Sequence, residues 1–327
     1  MSALSAPYFH DEALAHKELE ATLWPTGAMC PKCGGQERIT TVKGGRIGLY
    51  RCGPCKRQFT VKVGTVFESS HVPLNLWLQA TYLMCSSKKG ISSHQLMRTL
   101  DVQYRTAWFM THRLREAMKS GLLPQFGGEG VKVEIDETFI GKKEGRPVKR
   151  GYAHKHAVMT LIERRPEDGR ARSFHVDGTK ASDLMPIIKA NVKPGTHVMT
   201  DEAGQHAHLN KHFAAHDYVR HSAGEYGRGE VHINTAEGFY SVFKPGMKGI
   251  YRHCSEAHLH RYVAEFDFRY NNRVRLGVDD AQRTGNALKG IVGKRLMYQT
   301  SGRGSDALRG QCVAKQTLPL AERPRST

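Results

Sequence analysis

Two aspartates, a glutamate and a lysine carry the sharpest chemistry in this chain. Asp136 closes the alternating run VKVEID, and Asp201 closes THVMTD. If these two β-like segments are neighbours in one sheet, both carboxylates emerge at the same edge, where they repel unless a cation lies between them. Glu237, in HINTAEGFYSVFKPG, follows Asp201 after 35 intervening residues, at the start of a helix that Asn234 or Thr235 would cap. Lys244 stands seven positions further on, two helical turns later, and so shares a face with Glu237. Carboxylates and a cation facing one cleft suit phosphoryl transfer with two metal ions. Magnesium, or manganese in its place, would take the carboxylate oxygens, and Lys244 would grip a phosphate. Taken singly, each acid also has a plain structural use, because strands often end in Asp and helix starts favour Glu. Glu134, Glu137 and Glu202 adjoin the aspartates, and spacing alone leaves the third acid open among Glu225, Glu230 and Glu237.

The cysteines suggest a second metal chemistry. CPKC at Cys30–Cys33 and CGPC at Cys52–Cys55 form two C-x-x-C pairs with 18 residues between them. Each pair can supply one corner of a tetrahedral thiolate shell, so the four together read as a closed, structural zinc ribbon. A segment of that size has little core of its own, and metal binding would supply much of its folding energy. Cys85, Cys254 and Cys312 stand alone and are read as structural or incidental.

GISSHQLMRTLDVQYRTAWFMTHRLREAM has the length and the turn of a helix-turn-helix, with Leu96 and Leu100 facing Val102, Ala107, Met110 and Leu114. Gln103, Tyr104, Arg105 and Thr106 then open the second helix, where a recognition helix meets base edges. Arg113 and Arg115 are candidates for phosphate contacts. The same pattern also fits an ordinary helical hairpin with a solvated basic face.

These groups need elements to position them. Residues 11–23 read as a short amphipathic helix, 29–63 as glycine-punctuated β pieces, and 74–85 as a buried helix. Residues 93–118 read as two helices split at 101–103. Pro124 and the glycines around it mark a boundary near 123–130. Beyond it the periodicity gives strands at 131–136, 156–163, 171–177, 196–201 and 217–220. Helices are expected at about 182–192, 204–214, 236–244 and 257–270. The whole is α/β, a mixed sheet flanked by helices. The expected organisation is a helical segment at 1–27, the ribbon at 28–63, the helix-turn-helix region at 64–123, the catalytic domain at 130–275 and a basic, partly disordered tail at 276–327.

Lys and Arg number 49 against 31 Asp and Glu, a formal net charge of +18. That excess favours a polyanionic partner, since cations on nucleic acid release condensed counterions. No apolar run is long enough for a membrane helix and no secretory leader is visible, so the expected setting is the cytoplasm.

CPKC…CxxC, GTVFESS, KKGISSHQL, TAWFMTHRLR, DETFIG, the strand ending in Asp201, HINTAEGFYSVFK and HLHRYVAEFDFRYNNR occur in that order. Over roughly residues 20–275 the sequence resembles the zinc-ribbon insertion-sequence transposases of the ISXO-like group. The resemblance implies an RNase H-like fold with a DDE-type triad in which Asp136 is the first acid and Asp201 the second. Glu237 matches the third, with a basic residue seven positions on, and Asn234 is an alternate for that place. It also implies double-stranded DNA as partner, both the element's terminal inverted repeats and target DNA. A prokaryotic, nucleoid-associated location follows from the same likeness, and joining two ends implies a homodimer or higher oligomer on DNA. The expected reaction is strand cleavage that frees a 3′-OH, followed by attack of that hydroxyl on target DNA. A catalytically inactive DNA-binding regulator and a purely hydrolytic nuclease are the alternatives.

Overall fold

The structure is a computed structural model, and it describes residues 3–121, 124–148, 150–165 and 169–297. Helix α1 (Glu12–Leu23) is capped by the Asp11 side chain, which accepts from the Leu14 amide at 2.8 Å. Strands β1 (Ile39–Thr41), β2 (Tyr50–Cys52) and β3 (Gln58–Phe59) form a small antiparallel sheet in that order. Its core is only the two buried cysteines Cys30 and Cys52 with Phe59, edged by Trp24 and Tyr50. So small a core gives the segment little apolar burial of its own. The Tyr50 hydroxyl donates to Glu20 at 2.8 Å, tying this sheet to α1.

Helices α2 (Leu74–Ser86), α3 (Ser93–Leu100) and α4 (Tyr104–Met118) follow, close to the expected boundaries. Ser92 caps α3 by accepting from the Gln95 amide, and the turn to α4 is made by Asp101 in the left-handed conformation. Gly90, just before α3, has φ +97°, and a Cβ there would lie 1.8 Å from the Tyr251 hydroxyl. Only glycine fits that approach.

The larger sheet contains β4 (Lys132–Ile140), β5 (His156–Arg164), β6 (Ala171–Val176), β7 (His197–Asp201) and β8 (Ala215–Val219). Its order is β6-β5-β4-β7-β8, antiparallel across β6, β5 and β4 and parallel across β4, β7 and β8. Helix α5 (Ala181–Asn191) makes the crossover from β6 to β7 and packs Leu184 and Ile188 on one face with Val133, Ile135 and Val198. Helices α6 (Asn234–Pro245) and α7 (Glu256–Asn271) cover the other face over Ile140, Val158 and Ile162. This is the expected RNase H-like mixed sheet flanked by helices, preceded by the ribbon and the helix-turn-helix.

Three expectations are corrected. The stretch 204–214 contains only two short 3-10 turns, Gly204–His206 and Leu209–Lys211, and no α-helix. Neither Asn234 nor Thr235 caps α6. Its first turn is closed by Glu134 of β4, which accepts from the Thr235 hydroxyl at 2.8 Å and the Ala236 amide at 2.9 Å. Finally, the chain after 275 is not all tail. Helix α8 (Asp280–Lys289) carries a capping box between Asp279 and Gln282, and buries Ala287 and Leu288 in the core of α1, α2 and α4. Residues 298–327 of the tail expected to be partly disordered lie outside the described residues. Among the described residues, no helix is long and apolar enough to cross a membrane.

Candidate active site

The parallel pairing of β4 with β7 runs from Lys132 opposite His197 to Glu134 opposite Met199, which sets Asp136 level with Asp201. Asp136 accepts from the Glu137 amide at 2.8 Å, and Asp201 accepts from the Ala203 amide at 3.1 Å. The two carboxylates feel each other. Burial, then the charges of Glu137 and Asp201, push the Asp136 carboxyl up to about 7, although the Glu137 amide and Lys244 pull the other way. Acids crowded in this way are relieved by a bound cation, so the residues present fit a divalent metal ion.

Helix α6 crosses this edge at Tyr240, whose hydroxyl donates to the Asp136 carbonyl at 2.7 Å. Glu237 lies one turn before Tyr240 and Lys244 one turn after, so all three share the face turned toward Asp136. The Lys244 ammonium sits 5.5 Å from the Tyr240 ring centre. Its charge acts on the Asp136 carboxyl. Glu237 is looser: its side chain is 47% exposed and lies 3.9 Å from His221. Among the described residues, Asp136, Asp201 and Glu237 do not form a cluster with ligand atoms all within 4.8 Å of one another. Asn234, the alternate, is exposed at the first position of α6.

The competing acids have other uses. Glu134 is fully buried against the start of α6 and lies 3.3 Å from Arg164. Glu202 accepts from the amide and the hydroxyl of Ser222 at 2.9 and 2.7 Å. Glu225 pairs with Arg228, and Glu230 with Lys132. Glu134 thus sets the height of α6 and, with it, the position of Glu237 one turn in.

Sequence reading missed a brace behind the aspartates. His206 is buried, 3.3 Å from Glu137 and 3.9 Å from Asp201. Burial works against its protonation, yet the hydrogen bond to Glu137 and the charges of Glu137, Asp201 and Asp136 raise its pKa. Gln205 donates to the other Glu137 oxygen at 2.9 Å. A second unforeseen feature is the basic hairpin between β4 and β5, where Lys142, Arg146 and Arg150 are exposed. Its root at Ile140 lies four residues beyond Asp136, roughly 13 Å at strand rise.

The crowding has a testable cost. Asp136→Asn removes a charge that the folded state holds at a raised pKa, so in magnesium-free buffer at pH 8 the variant should be more stable by a few kcal/mol, since a shift from 3.8 to about 7 is on the order of 4 kcal/mol at most. The folded state binds the proton more tightly than the unfolded chain. The penalty is therefore absent below about pH 4, grows through the window up to 7 and is complete above it. Urea melts of both proteins at pH 4 and pH 8 check this; chelators are avoided because they would strip zinc. A variant no more stable than the parent at pH 8 contradicts the reading.

The four cysteines converge as expected. Cys30 lies 3.6 Å from Cys55 and Cys33 lies 3.6 Å from Cys52, sulfur to sulfur, with all four ligand atoms within 4.8 Å of one another. That spacing supports a structural zinc ion.

In the helix-turn-helix, Gln103, Tyr104 and Arg105 are exposed and Thr106 is half-buried at the start of α4, while Leu96, Leu100, Ala107, Met110 and Leu114 form its interior. Tyr104 stacks on His94 with ring centres 4.4 Å apart. Arg113 and Arg115 do not face solvent. Arg113 donates to the Glu68 carbonyl at 3.1 Å and lies over Phe109. Arg115 is 1% exposed and donates to Glu265 of α7 at 2.7 Å. The phosphate role expected for these two arginines is withdrawn, because both guanidiniums are committed inside the protein.

Residues 127–271 match the ISXO2-like transposase domain, and residues 10–58 match the transposase zinc-ribbon domain. A protein in transposable element ISH50 of Halobacterium salinarum (strain ATCC 700922 / JCM 11081 / NRC-1) is 29% identical over 281 residues, covering 80% of this chain and 91% of that protein. Among solved structures, the Mos1 strand transfer complex is 13% identical with a TM-score of 0.25, covering 65% of this chain and 74% of that chain. With a ribbon sheet carrying four converged cysteines and a second domain carrying paired aspartates, the chain contains a transposase zinc-ribbon domain followed by an ISXO2-like transposase domain.

Proposed function

We propose that this protein cuts DNA at the ends of its own mobile element and joins the freed ends to target DNA, using Asp136, Asp201 and Glu237. The observation that carries the reading is the level pair Asp136 and Asp201, where burial and then the neighbouring acids Glu137 and Asp201 push the Asp136 carboxyl to about 7, with the Lys244 charge acting on Asp136. Asp136 and Asp201 would hold divalent ions, magnesium or manganese, and Glu237 of α6 would complete the site, with Asn234 as its alternate. When bound, two such ions supply activation of the attacking oxygen and neutralisation of the leaving oxygen. Lys244 fixes a non-bridging phosphate oxygen. His206 and Gln205 keep Glu137 in place behind Asp136. In the first step water adds to phosphorus and the 3′ oxygen leaves as a hydroxyl. In the second, that 3′-OH attacks a target phosphodiester and displaces the neighbouring 3′ oxygen. Joining two ends calls for at least two copies of the chain on DNA.

The experiment is incubation of the purified protein with labelled duplex bearing an element end, with and without magnesium, followed by a strand-transfer assay. Metal-dependent nicking followed by joined product is expected. Nicking without joining points to a hydrolytic nuclease, and end binding with neither points to a regulator.

The terminal repeats are read from the start of α4, through Gln103, Tyr104, Arg105 and Thr106. Arg105→Ala is expected to weaken end binding by about 1–3 kcal/mol if it reads a base. If it contacts only phosphate, it should instead lower the salt slope by about one unit on any sequence. Fluorescence anisotropy across a salt series separates the two, and unchanged affinity on every duplex removes Arg105 from the interface.

A further inference from the structure

Besides the cysteines, the described residues hold one other group of three or more metal-ligating side chains with converging ligand atoms. It consists of His156, His175 and Glu256. His156 begins β5 opposite Ile140, and His175 lies on β6 opposite Val158. The register makes the two histidines diagonal neighbours on the sheet face covered by α7, and Glu256 is the first residue of that helix. The Glu256 Oε1 atom is 3.9 Å from His156 Nδ1 and 3.9 Å from His175 Nε2. All three ligand atoms lie within 4.8 Å of one another.

Those separations are too long for hydrogen bonds. They are close to what one ion needs, since ligands at about 2.0–2.1 Å in tetrahedral geometry stand roughly 3.4 Å apart. The two ring nitrogens are buried and have no hydrogen-bond partner, and His156 is only 4% exposed. Buried imidazole nitrogens left unpaired are costly. The rings meet edge to face at 5.5 Å, so they do not stack on each other. Lys143 and Asp177 are the other charged groups near His175. Lys143 donates its ammonium to the Asp177 carbonyl, and its amide donates to the His154 carbonyl across the basic hairpin.

We propose that His156, His175 and Glu256 form a second metal site that takes zinc or a similar borderline divalent cation. Two imidazoles and one carboxylate favour such ions over magnesium, and leave a coordination position open, unlike the closed four-sulfur shell. The site fastens the first turn of α7 to the root of the β4–β5 hairpin. Metal occupancy there holds in place the segment that carries Lys142, Arg146 and Arg150.

The test uses the full chain with Asp136→Asn and Asp201→Asn, so that the carboxylate cluster takes no ion. The protein is exposed to zinc chloride, desalted and measured for bound metal. Two equivalents of zinc are expected, falling to one in His175→Gln and in Glu256→Gln, with a lower melting temperature on loss of the second. Glu256 is 54% exposed, so its substitution leaves packing intact and decides the matter should His175→Gln fail to fold. Cobalt added to protein whose ribbon retains zinc gives an independent readout: ligand-field absorption of an N/O-ligated ion in the parent, absent in Glu256→Gln. A single equivalent in the parent, or two equivalents in both variants, overturns the site.

Discussion

Asp136→Ala is expected to lower magnesium-dependent strand cleavage by about a thousandfold or more while leaving end binding within a factor of two. A bound metal ion contributes several kcal/mol of charge stabilisation in a displacement at phosphorus, and each 1.36 kcal/mol is a factor of ten in rate. Losing about 4 kcal/mol gives the thousandfold figure. Asp201→Ala should match it, since the two carboxylates stand level across β4 and β7. Glu237→Ala separates the candidates for the third place: an equal loss assigns that place to Glu237, and a mild loss with a severe one in Asn234→Ala assigns it to Asn234. Quantitative nicking assays at saturating magnesium decide the main point. Near-normal cleavage by either aspartate variant would refute the mechanism. Asp136→Asn joins the two halves of this argument, because the change that removes catalysis is the one expected to stabilise the metal-free fold. Active sites commonly hold such a compromise.

The second large effect lies far from the chemistry. Glu265 of α7 is fully buried; it accepts from Arg115 of α4 at 2.7 Å and from the Tyr251 hydroxyl at 2.6 Å, and pairs with Arg269. Arg115 also lies over the Tyr262 ring at 4.0 Å, and Arg269 donates to the Met84 carbonyl at 3.0 Å. One carboxylate thus serves two interior guanidiniums, neither of which can reach water. Glu265→Ala leaves both unpaired and should cost about 3–5 kcal/mol. That is a large fraction of the 5–15 kcal/mol typical of a folded protein. Urea unfolding followed by circular dichroism measures it. A midpoint unchanged within error would mean that this network is not what joins α4 to α7. Cleavage and end binding should fall together in this variant, unlike the selective loss in the aspartate variants.

The contrast between these residues marks where the sequence is informative. Asp136 and Asp201 are legible because strand alternation and strand ends are local properties, and so is a pair of C-x-x-C knuckles. The turn at Asp101–Gln103 and the apolar seam of α3 and α4 are local in the same way. Arg115 was misread because charge alone does not say which side of a helix meets a partner. Its partner Glu265 is 150 residues away. Glu134 was taken as a rival acid for the same reason, since the helix it closes begins 100 residues later. His206 sits in a stretch whose sequence pattern suggests a helix that does not form, and only the fold puts it behind Glu137. Helix α8 is different: the Asp279–Gln282 capping box, followed by Ala287 and Leu288, is a local signal that composition obscured.

The position of α8 bears on the order in which the protein matures. Its Ala287 and Leu288, with Ile291, complete the core shared with α1, α2 and α4, so the helix-turn-helix depends on residues made after the whole sheet domain. A chain leaving the ribosome at about 5–20 residues per second therefore carries an unfinished helix-turn-helix region until α8 emerges. Nascent or prematurely terminated chains ending before α8 would lack part of that core and hold the helix-turn-helix less stably.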